Sequence, residues 1–169
     1  MDADIEIRTA VAGDAESIAE VLFQAFFVFK NEYTPGAFAA VTPTTDEIML
    51  RFGEGPMWIV TKRDAAIGTV SVITQPEGLY IRSMAVSPSA HGLGIGRMLL
   101  EAVEKYAIEK GFERLFLYTT SFLFGAIHLY EKSGFVHVRD TTADEWHGVS
   151  GLEMEKKLVI GIKQNVVGS

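Results

Sequence analysis

The sequence contains no cysteine. Disulfides, thiolate metal sites and a cysteine nucleophile are therefore excluded together. Histidine is scarce as well, with only His91, His128, His137 and His147. These show neither the i, i+4 pairing nor the neighbouring carboxylates of a zinc-binding helix, so no metal cofactor is expected. Basic residues are in deficit: 15 Lys and Arg stand against 22 Asp and Glu, a formal charge of −7. That balance gives no overall attraction to nucleic acid or to an anionic membrane, so neither is expected as a partner. A cationic amine or a basic polymer is easier to accommodate. No run reaches the roughly 20 apolar residues of a membrane helix. The opening stretch MDADIEIRTAVAGDAE is acidic and lacks the basic start and apolar core of a signal peptide. A cytoplasmic location is the expectation.

What is present suits one folded unit. The 169 residues are 48% hydrophobic and 22% charged, enough to bury a substantial core while keeping the surface polar. IEIRTA (5–10) alternates as a half-buried strand does. Asp14 stands at an N-cap position, and Ile18, Val21, Leu22 and Ala25 follow at helical spacing, predicting a helix over 15–27. FFVFKNEYTPGAFAAVTP is aromatic, contains Pro35-Gly36 and has no sustained period, and reads as a loop or broken helix. Thr44 or Thr45 caps a short helix running through Met49 and Phe52. MWIVTKR (57–63) and AIGTVSVI (66–73) read as an antiparallel hairpin turning at Asp64-Ala65, and LYIRSMAV (79–86) as a third strand. A helix bearing Ile95, Leu99, Ala102, Val103 and Tyr106 on one face ends at Gly111. A strand over 113–120, a helix over 126–135 closed by Gly134 and two final strands, FVHVRD and GLEMEKKL, complete the pattern. The whole is expected to be a single α/β domain over 1–158 with a mixed sheet, followed by a tail over 159–169.

Between the third strand and its helix lies SPSAHGLGIGRMLLEAV (87–103), with three glycines in five positions. Each glycine at a helix start costs roughly 1 kcal/mol relative to alanine. The unpaired N–H groups of a first helical turn, with the positive end of its dipole, make an anion site, and glycines let a phosphate reach them. His91, Gly92, Leu93, Gly94, Ile95, Gly96 and Arg97 supply such a turn. A glycine loop without a ligand is the plainer alternative. The Walker pattern fails because Arg97-Met98 follows Gly96. The dinucleotide pattern fails because neither residue 97 nor residue 99 is glycine.

Two segments in this order, MAVSPSAHGLGIGRMLLEAVEKYAIEKGFERLFLYTT and then AIHLYEKSGF, resemble the GCN5-related N-acetyltransferase (GNAT) superfamily. His91-Gly92-Leu93-Gly94-Ile95-Gly96 occupies the position of its Gln/Arg-x-x-Gly-x-Gly/Ala signature. Ala126 to Phe135 matches a second segment common in that family. The likeness covers about residues 57–158 and extends in outline from residue 5.

The resemblance implies a mixed, mostly antiparallel sheet with a splayed central parallel pair, 79–86 and 113–120, and flanking helices. It implies acetyl-CoA as cosubstrate, with pyrophosphate on the N–H groups of residues 92–97 and the pantetheine arm along Met84, Ala85 and Val86. Tyr130 matches the tyrosine that protonates the departing thiolate, its alternative being a packing residue. The implied reaction is transfer of the acetyl group to a primary amine, a small molecule or a protein N-terminus, by direct attack in a ternary complex. Absence of cysteine agrees with direct transfer. A homodimer is implied by the same analogy.

Two positions depart from the pattern. His91 stands where Gln or Arg is usual, and imidazole lacks the fixed charge and fork of Arg. Leu123 stands where an Asn is common, leaving Thr120 or Ser121 as the nearest polar substitutes. LYIRSMAV has no carboxylate, so no general base is named. Glu32, Tyr33 and the Glu145-Trp146-His147 segment are expected to wall the acceptor side, or else to form an ordinary aromatic core. A non-catalytic acyl-CoA-binding or sensing module is the alternative function.

Overall fold

The computed structural model describes residues 4–159. The tail expected over 159–169 therefore lies, apart from its first residue, outside the described residues. In chain order the elements are β1 (Ile5–Thr9), α1 (Ala15–Phe27), α2 (Pro35–Val41), α3 (Thr45–Arg51), β2 (Met57–Lys62) and β3 (Ala65–Gln75). Then come β4 (Gly78–Val86), α4 (Ile95–Lys110), β5 (Arg114–Thr120), α5 (Phe124–Lys132), β6 (Val136–Thr141) and β7 (Gly151–Lys157).

The strands form one seven-stranded sheet in the order β1-β2-β3-β4-β5-β7-β6. Every neighbouring pair is antiparallel except β4 and β5. This is the mixed sheet with one parallel pair that the sequence led us to expect. Strand alternation sorts the helices onto two faces. Trp58 and Val60 of β2 point to the face covered by Leu99 and Val103 of α4 and Tyr130 of α5. Met57 and Ile59 point to the opposite face, against Ile18 and Leu22 of α1 and Ile48 of α3. Each of these side chains, fully buried, contributes about 1.5–3 kcal/mol relative to exposure.

Local chemistry moves several boundaries. The β2–β3 hairpin turns at Arg63 and Asp64, both with positive φ (50° and 67°), not at Asp64-Ala65. Two residues with φ > 0 make the primed turn that matches strand twist. The expected loop contains α2. Thr34 caps it, its hydroxyl accepting from the Ala37 N–H at 3.1 Å, and Pro35 sits in the first turn where its missing N–H costs nothing. Thr44, rather than Thr45, caps α3 in a reciprocal box with Glu47. Asp14 precedes α1 as expected but does not cap it. Its carboxylate accepts from the Val11 N–H at 2.8 Å and pairs with Arg8 at 2.8 Å. Helix α5 begins two residues before the expected start, at Phe124.

The central feature is a break in β4. Between Arg82, paired with Ser71, and Ala85, paired with Thr69, β4 carries one residue more than β3. Ser83 takes up the irregularity in a left-handed conformation, φ 57°. For a serine this costs about 1 kcal/mol or more. Strands β4 and β5 pair only at Leu79–Leu115 and Tyr80–Phe116. Beyond Tyr80 they part, and β5 continues alone with β7 as far as Thr120–Gly151.

Candidate functional site

The parting of β4 and β5 opens a cavity of about 970 Å³. Met84, Ala85 and Val86 form its wall along β4, with Met84 and Val86 turned to the α4 face and Ala85 to the other. His91, Gly92, Gly94, Ile95, Gly96 and Arg97 border it at the start of α4. Tyr130 closes it from α5. Of the residues that the sequence assigned to the cosubstrate and to proton donation, Leu93 alone is absent from the lining; it points outward, 40% exposed.

The three glycines serve different ends. Gly92 and Gly94 have φ of 85° and 76°, and a Cβ at either would meet nothing within 4 Å. They provide a left-handed turn facing open space. Gly94 is the N-cap of α4, with no side chain capping the helix, so the first-turn N–H groups stay available to an outside acceptor. Gly96 is already helical, and a Cβ there would lie 2.5 Å from Leu129 Cδ2. Its reason is the close packing of α4 on α5.

Tyr130 is held by backbone chemistry. The Gly134 N–H donates to the Glu131 carbonyl at 3.1 Å and the Phe135 N–H to the Tyr130 carbonyl at 3.0 Å. With Gly134 at φ 98°, this is a Schellman ending. The Tyr130 and Phe135 rings lie 5.9 Å apart, the apolar contact that accompanies such an ending. The segment LYEKSGF is thus a helix stop that fixes the tyrosine. Burial, and secondarily the neighbouring Tyr33 phenol, push the Tyr130 hydroxyl far above its ordinary range. It keeps its proton at neutral pH.

Across the cavity stand Tyr33 and Thr120. Both hydroxyls are buried and close to each other, and neither makes a hydrogen bond of normal geometry. Burial raises the Tyr33 phenol, and the nearby Thr120 hydroxyl offsets part of that rise. Thr120 and Leu123 both line the cavity, whereas Ser121 opens onto a separate shallow hollow. Glu32 lines that hollow too, so of the expected acceptor-side pair only Tyr33 reaches the main cavity. Trp146 joins Tyr33 there, ring centroids 6.4 Å apart, and Thr34 ties the two segments together by donating to the His147 carbonyl at 2.6 Å. Glu145 also lines the cavity, but its charge is already matched. The Thr142 N–H at 2.7 Å, and after it Arg139 at 2.9 Å, lower its pKa.

Three phenols, the buried Tyr33 and Tyr130 and the half-buried Tyr80, have raised pKa values, each chiefly through desolvation. The folded protein keeps them neutral where the unfolded chain ionises at about pH 10. Their contribution to stability is therefore complete below about pH 10 and is lost as pH rises toward the folded values. Thermal unfolding between pH 8 and 11 is expected to show a steep fall in Tm above about pH 10, shallower in Tyr80→Phe. An equally steep fall in that variant would exclude the contribution of Tyr80.

The acetyltransferase (GNAT) family model matches residues 17–135. The chain belongs to the acetyltransferase (GNAT) family. It is 28% identical over 138 residues to the Uncharacterized N-acetyltransferase YjgM of Escherichia coli (strain K12), covering 78% of this chain and 82% of that one. It is 27% identical over 152 residues to streptothricin acetyltransferase of Streptomyces lavendulae, 77% of this chain and 80% of that one. Among solved structures it resembles the PaiA N-acetyltransferase of Thermoplasma acidophilum in complex with coenzyme A. The TM-score there is 0.78 at 21% identity, over 94% of this chain and 100% of that one. This GNAT chain thus shares its fold with a protein crystallised around coenzyme A.

Proposed function

We propose that the chain is an N-acetyltransferase that moves the acetyl group of acetyl-CoA to a primary amine. The observation that carries this reading is the meeting, at one cavity, of a parted parallel strand pair, an uncapped helix start and a buried protonated tyrosine. The residues suit the cosubstrate. Pyrophosphate is assigned to the first-turn N–H groups behind His91 and Gly92–Arg97, where a Cβ on Gly92 or Gly94 would stand in open space. The pantetheine amides are assigned to the backbone of Met84, Ala85 and Val86, which lies past the last β4–β5 pair.

In the proposed reaction the neutral amine attacks the thioester carbonyl carbon, forming the C–N bond. The tetrahedral intermediate collapses with rupture of the C–S bond. The leaving thiolate takes the Tyr130 proton, and the proton released from nitrogen passes to solvent, from which the Tyr130 phenolate is reprotonated. The acceptor is a small amine or a protein N-terminus. A cytoplasmic location and a homodimer accompany this reading by analogy with the family.

The test is thermal unfolding with about 1 mM acetyl-CoA, with NADH and ATP as controls. A ligand at about 100 times its Kd stabilises by about 2.7 kcal/mol, which is several degrees for a chain of this size. Stabilisation by acetyl-CoA alone, followed by thiol release with an amine panel, supports the reading. Absence of any shift overturns it, and a shift without turnover of any amine would favour a non-catalytic acyl-CoA-binding module.

A further inference from the structure

On the α1/α3 face of the parted strands, Arg51 ends α3 and Arg82 precedes the break in β4. The Arg51 Nη1 donates to the Ser83 hydroxyl at 2.8 Å, and Ser83 is the residue held at φ 57°. Both arginines line the cavity, beside Tyr80 and Gln75. Their charge is incompletely matched. Glu54 bonds Arg82 at 3.1 Å, while among the described residues no carboxylate comes within ion-pair distance of Arg51. Glu47, one helical turn earlier, is turned back to cap Thr44. The Arg82 Nε–H is buried without an acceptor. Burial, and then the proximity of Arg82, lower the Arg51 guanidinium from its ordinary value, and the more distant charges of Glu54 and Glu47 offset only part of that fall.

The other arginines at the cavity are placed differently. Arg139 is matched by Glu145 and Glu153, and Arg97 is exposed at the α4 turn with Glu101 at 3.7 Å. Arg51 and Arg82 also stand across the sheet from that turn. The α4 side takes the phosphates in the reading above, which leaves the arginine pair to the acceptor.

We infer that Arg51 and Arg82, with Ser83 fixing Arg51, form a recognition site for an oxyanion group on the acceptor. The substrate class is thus an amine that also bears a carboxylate or phosphonate. This rests on the acetyltransferase reading for the identity of the ligand, not for the existence of the anion site. A half-buried guanidinium without an ion-paired carboxylate binds a carboxylate or phosphonate with charge-assisted, paired hydrogen bonds. A purely cationic amine would be repelled by the same pair. The overall charge of −7 favours cations, so the local charge of the arginine pair opposes the global one.

The test measures binding and turnover separately. N-acetylphenylalanine, N-acetylmethionine and N-acetylglutamate, their C-terminal carboxamides and the corresponding aminophosphonates are titrated calorimetrically into the protein with coenzyme A present. The matching free amines are assayed with acetyl-CoA. The carboxylates or phosphonates are expected to bind on the order of 10- to 100-fold more tightly than the carboxamides. Arg51→Met should abolish that ratio and Arg51→Lys should restore part of it, with acetyl-CoA stabilisation as the check on folding. The two anion series decide which oxyanion is meant. A ratio near one in the wild type, or a ratio unchanged in Arg51→Met, overturns the anion site even if amines are acetylated. Arg51-dependent anion binding without acetylation of any amine would retain the anion site and overturn the acetyltransferase reading instead.

Discussion

Tyr130→Phe is expected to lower kcat roughly 100- to 10,000-fold while leaving acetyl-CoA stabilisation in place, the range for removing a positioned general acid. The substitution keeps the ring. Contact with Phe135 at 5.9 Å and the backbone bonds that end α5 are unaffected, so the variant should fold. What is lost is one proton at one atom. A thiolate leaving into a cavity walled by Tyr130, Leu123, Leu129 and Val86 is poorly solvated, and without a donor it must await a water. Because burial keeps the phenol protonated well above neutrality, wild-type kcat should show no alkaline loss below about pH 10 that Tyr130 accounts for. Steady-state kinetics with thiol detection distinguishes the roles. A fall in kcat with KM for acetyl-CoA retained identifies the donor, whereas a kcat within a few-fold of wild type would reduce Tyr130 to a packing residue of the core.

The fold was legible where the signals were local and periodic. Alternation in β1, the hairpin pattern of β2 and β3, the apolar face of α4 and the glycines that end α4 and α5 carried their elements to within two or three residues. Misreadings came from residues with two meanings. Pro35-Gly36 looked like a breaker, but Pro35 starts a helix behind the Thr34 cap. Asp14 looked like a cap for α1, but Arg8 and the Val11 N–H take its carboxylate. The α4 turn and Tyr130 stood out because their motifs are contiguous. Arg51 did not, since its neighbour Ser83 is 32 residues away and nothing local marks an arginine as short of a partner. The left-handed Ser83 was equally hidden, because glycine is the usual sign of that conformation. Glu145 was recognised as a wall residue, but whether its charge is free depends on Arg139 and the Thr142 N–H, which only the folded chain brings to it.

The α4 turn allows a sharper separation, since Gly94 and Gly96 were indistinguishable in sequence and differ in the fold. Gly94→Val places a β-branched residue at φ 76°, where L residues are disfavoured by roughly 1–2 kcal/mol or more, and its methyls enter the open space before the helix start. Acetyl-CoA should then bind at least about 10-fold more weakly, the equivalent of one lost charge-assisted hydrogen bond. Gly96→Ala meets no phosphate path; it meets Leu129 at 2.5 Å. It should lower the Tm of the free protein only modestly, because the overpacking falls on the movable end of Leu129 and is partly offset by the roughly 1 kcal/mol by which alanine favours a helix over glycine, while the further rise produced by saturating acetyl-CoA is largely kept. Thermal unfolding of both variants across an acetyl-CoA titration reads the two effects independently. If Gly96→Ala loses the ligand response and Gly94→Val keeps it, the phosphates do not lie on the turn before α4, and the assignment of residues 92–97 to the cosubstrate falls.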